Sequence, residues 1–201
     1  MIEDIKAVQW MYGPQETNET DTVYGSNYFD PNKPFAMAIW DSGGTDTIDL
    51  SAFTQACTIS LVSGTSSTVA CTGWAVGQMS NNLGIAEGAI IENIIAGSGN
   101  DVIVGNEVAN VINGGAGDDS LTGGAGADNF KFGLNFGNDT VTDFAAGSDT
   151  LTFVDGSDAA IDVASISASE VSSNLVLTVG SDTVTLDGIA LSAWDPSTFI
   201  A

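Results

Sequence analysis

Between Ala96 and Lys131 the large apolar residues return every nine positions, a period that suits neither a surface helix nor a simple half-buried strand. The chain falls there into four consecutive blocks, AGSGNDVIV, GNEVANVIN, GGAGDDSLT and GGAGADNFK. Position eight is Ile103, Ile112, Leu121 and Phe130, and position six is Asp101, Asn110, Asp119 and Asp128. Each block therefore joins a glycine-rich acidic turn to a short strand with one large apolar residue. If two blocks make one coil of a parallel β-roll, blocks n and n + 2 lie in register, about 4.8 Å apart. That register stacks Asp101 with Asp119, Asn110 with Asp128, and Ile103 with Leu121 inside the roll. A flexible glycine-rich linker would not carry a large apolar residue at position eight of every block.

The flanks are strand-like too. Thr22–Gly25 and Phe35–Trp40 read as strands, and Leu175–Val179 and Thr183–Leu186 alternate strictly around Gly180-Ser181-Asp182, a hairpin pattern. Asp143–Leu151 reads as a turn closing the open end of the roll, and the hairpin as a cap over strand edges that would otherwise aggregate. Ile2, Ile5, Val8 and Met11 follow helical spacing, and Gly13-Pro14 ends that short helix. The fold class expected is all-β: a parallel β-roll with flanking strands, a C-terminal hairpin cap and one short N-terminal helix. Its expected divisions are 1–14 (helix), 15–95 (β-rich N-terminal part), 96–131 (repeats) and 132–201 (cap).

Charge changes this picture. The 201 residues include 26 acidic side chains against three lysines (Lys6, Lys33 and Lys131), a formal net charge of -23. Such a surface repels nucleic acid and anionic membranes, and it strains the compact state unless cations offset it. The chain has no histidine, which removes the commonest zinc ligand and the commonest general base, so this chain reads as non-catalytic. With 43% hydrophobic residues it can bury a core, yet it has no apolar run of about 18 residues to cross a membrane as a helix. Met1-Ile2-Glu3-Asp4 lacks the basic start of a secretory signal peptide.

A solvated acidic surface would explain the charge alone, but the glycine-rich turns each carrying an acid or amide resemble a known calcium-binding nonapeptide, whose physical logic can be rebuilt. Calcium takes about six to eight hard oxygen ligands. Glycine reaches φ > 0 without steric cost, so a turn can aim its own carbonyls at one spot, and the position-six carboxylate adds to them. One turn supplies too few oxygens; a second must stack on it. Without the ion the same stacking piles carboxylates together, so folding should be coupled to binding. Block two has Asn106, Val108 and Asn110 where the others have Gly, Gly and Asp, and its ion should be held less tightly. Asp41-Ser-Gly-Gly-Thr-Asp46 repeats the arrangement outside the roll, either as an isolated oxygen cage or as a plain turn. Cys57 and Cys71 flank two β-prone runs with Gly64 midway. They read either as a disulfide, worth roughly 3 kcal/mol of loop entropy, or as a pair of small buried thiols.

The nonapeptide matches G-G-x-G-x-D-x-U-x, the calcium-binding repeat of RTX proteins. The order of segments resembles the C-terminal domain of the serralysin family of secreted zinc metallopeptidases. Asp4–Gly13, Asp21–Gly25, Trp40–Thr47 and Ile91–Asp101 carry the resemblance, which spans Asp4 to Asp128. It implies calcium ligands at Asp41, Gly43, Gly44 and Asp46 in the isolated turn. In the roll it implies Glu92, Gly97, Gly99, Asp101, Asn106, Asn110, Gly115, Gly117, Asp119, Gly124, Gly126 and Asp128, the glycines acting through main-chain carbonyls. The family's basic residue ahead of Asp21 has no counterpart here. The resemblance further implies several calcium ions as cofactor, an upstream protease domain ending in the 1–14 helix, and an extracellular location. Export would use type I secretion machinery reading an uncleaved signal at Phe199-Ile200-Ala201. The family's zinc motif, H-E-x-x-H-x-x-G-x-x-H, needs histidines this chain lacks, so no zinc is expected in it. The other reading is a free-standing structural or surface-assembly RTX protein that assembles with calcium.

Overall fold

A computed structural model describes residues 19–71 and 80–201; the helix expected at Ile2–Tyr12 lies outside the described residues. Strands β1 (Val23–Tyr24), β3 (Thr47–Asp49), β7 (Asn93–Ile95), β9 (Val111–Asn113), β11 (Asn129–Phe132) and β13 (Thr150–Phe153) form one sheet in that order, all parallel. Strands β4 (Thr58–Ser60), β8 (Val102–Val104), β10 (Ser120–Thr122) and β12 (Asn138–Val141) run parallel in a second sheet. The strands are short because each half-coil gives most of its residues to a turn. The register is the one the nine-residue period dictates: Ile103 pairs with Leu121, and Ile112 with Phe130. This is an all-β parallel roll.

The position-eight residues form the core. Ile48, Ile94, Ile112, Phe130 and Leu151 make one column, and Ile59, Ile103, Leu121 and Val141 another, all essentially inaccessible to water. Burying each such side chain contributes about 1.5–3 kcal/mol. The columns begin before the four blocks and continue after them, because β3, β4, β7, β12 and β13 place their own apolar residues in the same rows.

The expected hairpin forms from β15 (Asn174–Val179) and β16 (Asp182–Leu186), with Gly180 at φ +65° in the connection. It has a third antiparallel strand, β14 (Ile166–Val171), which lay unremarked in the sequence. Its β16 pairs parallel with β12, so the hairpin extends the second sheet. At the C-terminus, Ala201 donates its N–H to the Leu151 carbonyl, and Phe199 is buried against Phe144, with ring centroids 5.1 Å apart. At the other end β2 (Met37–Ile39), β6 (Leu83–Ile85) and β5 (Ser66–Ser67) form a small third sheet, and Phe29, Phe35 and Phe53 make a chain of ring contacts. Among the described residues no helix is long and apolar enough to cross a membrane.

Candidate metal centre

Each position-six residue stands two residues before a buried apolar one, at the mouth of a strand. There its side chain meets the backbone of the preceding coil. Asp101 Oδ1 accepts the N–H of Cys57 (2.7 Å), Asp119 Oδ1 that of Asp101 (2.8 Å), and Asp139 Oδ1 that of Asp119 (2.9 Å). Along the other edge Asp128 Oδ1 accepts from Asn110 (2.8 Å) and Asp149 Oδ1 from Asp128 (3.1 Å). Earlier on that edge Asp46 Oδ1 accepts from Thr22 (2.8 Å), and Glu92 Oε2 accepts from Asp46 (2.7 Å). One oxygen of each carboxylate is thus a structural acceptor, which fixes where the other points.

Those second oxygens are the unusual feature. Asp46 Oδ2, Asp119 Oδ2 and Asp139 Oδ2 are buried and have no hydrogen-bond partner. An unmatched buried carboxylate oxygen is costly until a proton, a water or a cation meets it. Asp119 Oδ2 faces the turn of its own block, where a Cβ on Gly114 would lie 2.3 Å away; Asp128 Oδ2 stands likewise 2.4 Å from a Cβ on Gly123. The turns themselves nest. Gly115 (φ +90°) and Gly117 (φ +122°) sit over the previous turn so closely that a Cβ would come 1.9 Å from Gly97 O and 2.3 Å from Gly99 O. Side chains are excluded from this seam, and its walls are carbonyl oxygens.

Charge follows from burial. Desolvation in the seam pushes Asp101 and Asp46 up to about 6, Asp119 to about 7 and Asp139 to about 8, and it raises Asp128 as well. Neighbouring carboxylates add to this: Asp101 and Asp118 act on Asp119, and Asp119, Asp118 and Asp182 on Asp139. The backbone N–H donors pull the other way and lose.

The residues singled out in the sequence fall into three places. Gly97, Gly99 and Asp101 stack under Gly115, Gly117 and Asp119, and Ala116 N–H to Gly97 O (2.9 Å) ties the two turns. Asn106 and Asn110 stack under Gly124, Gly126 and Asp128. In the isolated turn Asp41 Oδ2 accepts the Tyr24 phenol (2.6 Å), while Gly43 N–H reaches Asp41 Oδ1 (3.2 Å). Gly44, at φ +118°, packs on Thr20, and Asp46 feels the charges of Asp41 and Glu92. Glu92 therefore joins the isolated turn through its side chain and the second turn through its backbone.

That second turn is built differently. Asn106 Nδ2 donates to Ile91 O (2.8 Å), and Asn110 Nδ2 to Glu92 O (3.1 Å) and Asn106 Oδ1 (3.0 Å). The two amides satisfy carbonyls that aspartates could only repel. Turning each amide over would present an oxygen there instead, since the group carries both functions.

Asp139 and Asp149 were missed in the sequence. They follow Asp119 and Asp128 by 20 and 21 residues, not 18, because Leu134–Gly137 and Ala145–Ser148 replace the short glycine turns. The signal that would have found them is acid, any residue, then a buried apolar residue: Asp139-x-Val141 and Asp149-x-Leu151 repeat Asp119-x-Leu121. Cys57-x-Ile59 fits the same frame, so a thiol holds position six at the start of the ladder.

Among the described residues no group of three His, Cys, Asp or Glu side chains is arranged to hold a metal by itself. The orphaned carboxylate oxygens and carbonyl-walled seam nonetheless fit a hard cation whose shell is completed by backbone oxygens.

Residues 4–187 match the family described as peptidase M10 serralysin C terminal. The chain belongs to that serralysin C-terminal family. Serralysin from Photorhabdus laumondii is 40% identical over 122 residues, which cover 56% of this chain and 24% of that protein. Serralysin G from Dickeya chrysanthemi is 42% identical over 120 residues, 55% of this chain and 24% of the relative. Metalloprotease AprA from Pseudomonas entomophila is 38% identical over 122 residues, 56% and 24% respectively. The chain thus spans about a quarter of the length of these relatives. Among solved structures, the extracellular lipase LipA from Serratia marcescens superposes with a TM-score of 0.44 at 19% identity, over 92% of this chain and 39% of that one. The serralysin family match covers the ladder from Asp46 to Asp149 in full.

Proposed function

We propose that this chain is the calcium-binding, non-catalytic C-terminal part of a secreted serralysin-like zinc metallopeptidase. In this reading it folds outside the cell when calcium fills the seam. The carrying observation is the set of buried position-six carboxylates with unpartnered second oxygens at Asp46, Asp119 and Asp139. Asp101, Asp119 and Asp139 on one edge would each give a carboxylate oxygen, with carbonyls of the Gly97–Gly99 and Gly115–Gly117 turns completing the shells. Asp128 and Asp149 would do the same with Gly124 and Gly126 on the other edge, and Asn106 and Asn110 through amide or main-chain oxygens. Asp41, Gly43, Gly44, Asp46 and Glu92 would hold a separate ion. The bound cation supplies positive charge that lets the stacked aspartates ionise together. All these donors are oxygens, which favours calcium over zinc.

The rest follows from that coupling. A chain with net charge -23 stays expanded where calcium is scarce and collapses where it is plentiful. Phe199 is buried and Ala201 is bonded to Leu151 in the folded state, so a C-terminal signal for type I secretion machinery could be read only before folding. Catalysis would lie in an upstream zinc-bearing protease domain, since this chain has no histidine to hold that metal.

The test is the native polypeptide captured from culture medium with an antibody against this chain. A species well above 20.5 kDa that contains zinc and cleaves casein only with calcium is the expected result. A species of that mass, inert to casein and assembling when calcium is added, would replace this reading with that of a free-standing surface-assembly protein.

A further inference from the structure

The ladder begins with a residue of different chemistry. Cys57 occupies position six in the coil preceding Asp101: its N–H donates to Asp101 Oδ1 (2.7 Å), and its carbonyl accepts from Val102, as Asp101 and Asp119 do with the coils that follow them. Its side chain stands where the later rungs carry carboxylates or an amide. Its thiol donates to Gln55 O (3.3 Å) and accepts the N–H of Ala70, the residue next to Cys71. Thr58 and Thr68 exchange backbone hydrogen bonds of 2.8 and 2.7 Å in an isolated antiparallel bridge, which brings the Ala70–Cys71 segment back beside Cys57, where the charge of Cys71 acts on the Cys57 thiol. Cys57, Val69 and Cys71 are all buried.

We propose that Cys57 and Cys71 form a disulfide that closes the N-terminal end of the ladder, doing by a covalent bond there what a cation does at the later rungs. The two thiols give up two protons and two electrons to a low-molecular-weight disulfide, which leaves as two thiols. The structure carries the pair in the reduced form, each thiol on a backbone carbonyl, at Gln55 and at Lys33. Both are shielded from reagents in the fold, so exchange takes place while the chain is still open. The bond removes loop freedom from the unfolded chain only, and it pins the Cys57 amide that orients Asp101. The oxidised chain should therefore fold at a lower calcium concentration; this coupling, unlike the bond, rests on the calcium reading above.

The full 201-residue chain is unfolded in chelator with glutathione disulfide, refolded, denatured again and treated with iodoacetamide without reductant. The expected intact mass is two hydrogens below that of the dithiol, with no alkyl adduct, and Cys71→Ser should instead carry one adduct or one glutathione. Two adducts on the parent chain would overturn the proposal. Circular dichroism against calcium then compares oxidised, reduced and Cys57→Ser/Cys71→Ser chains. A midpoint several-fold lower for the oxidised chain alone is expected, and equal midpoints would refute the substitution of a bond for an ion. If no form responds to calcium, the calcium reading fails while the mass still decides the disulfide.

Discussion

Replacing Asp119 by asparagine should stabilise the cation-free chain and weaken the calcium-bound one, a reversal that few substitutions would produce. The side chain keeps its shape, and Oδ1 can still accept from Asp101 N–H. What changes is the second oxygen, which is buried and unpartnered. Burial lifts this carboxyl from 3.8 to about 7. At pH 8, where the acid is ionised in both states, that difference corresponds to about 4 kcal/mol at most, and screening at the rim of the turn leaves about 2. With a urea slope of about 2 kcal/mol/M, Asp119→Asn should raise the midpoint in chelator by about 1 M. Sucrose in every sample keeps both chains within the measurable range. In calcium the order should invert, because a ligand held at about 100 times its Kd contributes about 2.7 kcal/mol that the variant loses. The assay is urea unfolding followed by circular dichroism, with and without calcium. If the variant is less stable in chelator, or gains as much from calcium as the parent, the orphaned oxygen is not a cation ligand.

Three further outcomes follow from the same geometry. Gly115→Ala should abolish folding even in excess calcium, since its Cβ would lie 1.9 Å from Gly97 O at φ +90°; the cost is about 3 kcal/mol or more, read by circular dichroism. Tyr24→Phe removes a 2.6 Å hydrogen bond to Asp41 and should cost about 2 kcal/mol, with faster amide exchange across Thr22–Gly25 and little change at Leu121. The folded-state pKa values of Asp46, Asp101, Asp119 and Asp139 are raised, so their contribution to the cation-free fold is favourable below about 3.8 and is lost as pH climbs through about 6 to 8. The chelated chain should thus show more β signal at pH 4 than at pH 8, and calcium should restore it at pH 8; maximal chelated structure at pH 8 would contradict the buried-acid account.

The nine-residue period made the middle of the fold legible because two blocks per coil leave one register for the apolar residues. Ile103 on Leu121 and Ile112 on Phe130 follow from counting. The outer coils were harder, since β3, β4, β7, β12 and β13 join the same columns through turns of irregular length. Counting by nine cannot cross Leu134–Gly137, but a sheet edge with open hydrogen-bonding groups accepts any strand whose buried residue falls in the row. β14 escaped for another reason: its Ile166-Ser-Ala-Ser-Glu-Val171 has weak alternation, and most of it is exposed, so pairing with β15 defines it more than its own pattern does.

The candidate site was legible in kind but not in arrangement. Stacked aspartates suggest an ion midway between equal partners, yet each carboxylate spends one oxygen on the backbone of the coil before it and leaves the other to its own turn. The ladder is therefore directional. A cation bound at one rung would neutralise a carboxylate whose other oxygen holds the amide of the rung before, and that rung's own carboxylate is oriented by the same backbone. Order can pass along the edge from Asp139 through Asp119 and Asp101 to Cys57, rung by rung. A roll built this way has little reason to fold in part: an ionised rung without its cation sets a buried charge against its neighbour, as the raised values of Asp119 and Asp139 record. If the proposed cations fill it, folding on cation binding would be cooperative over the ladder as a whole, and the thiol at its first rung is where that cooperativity would need an anchor of another kind.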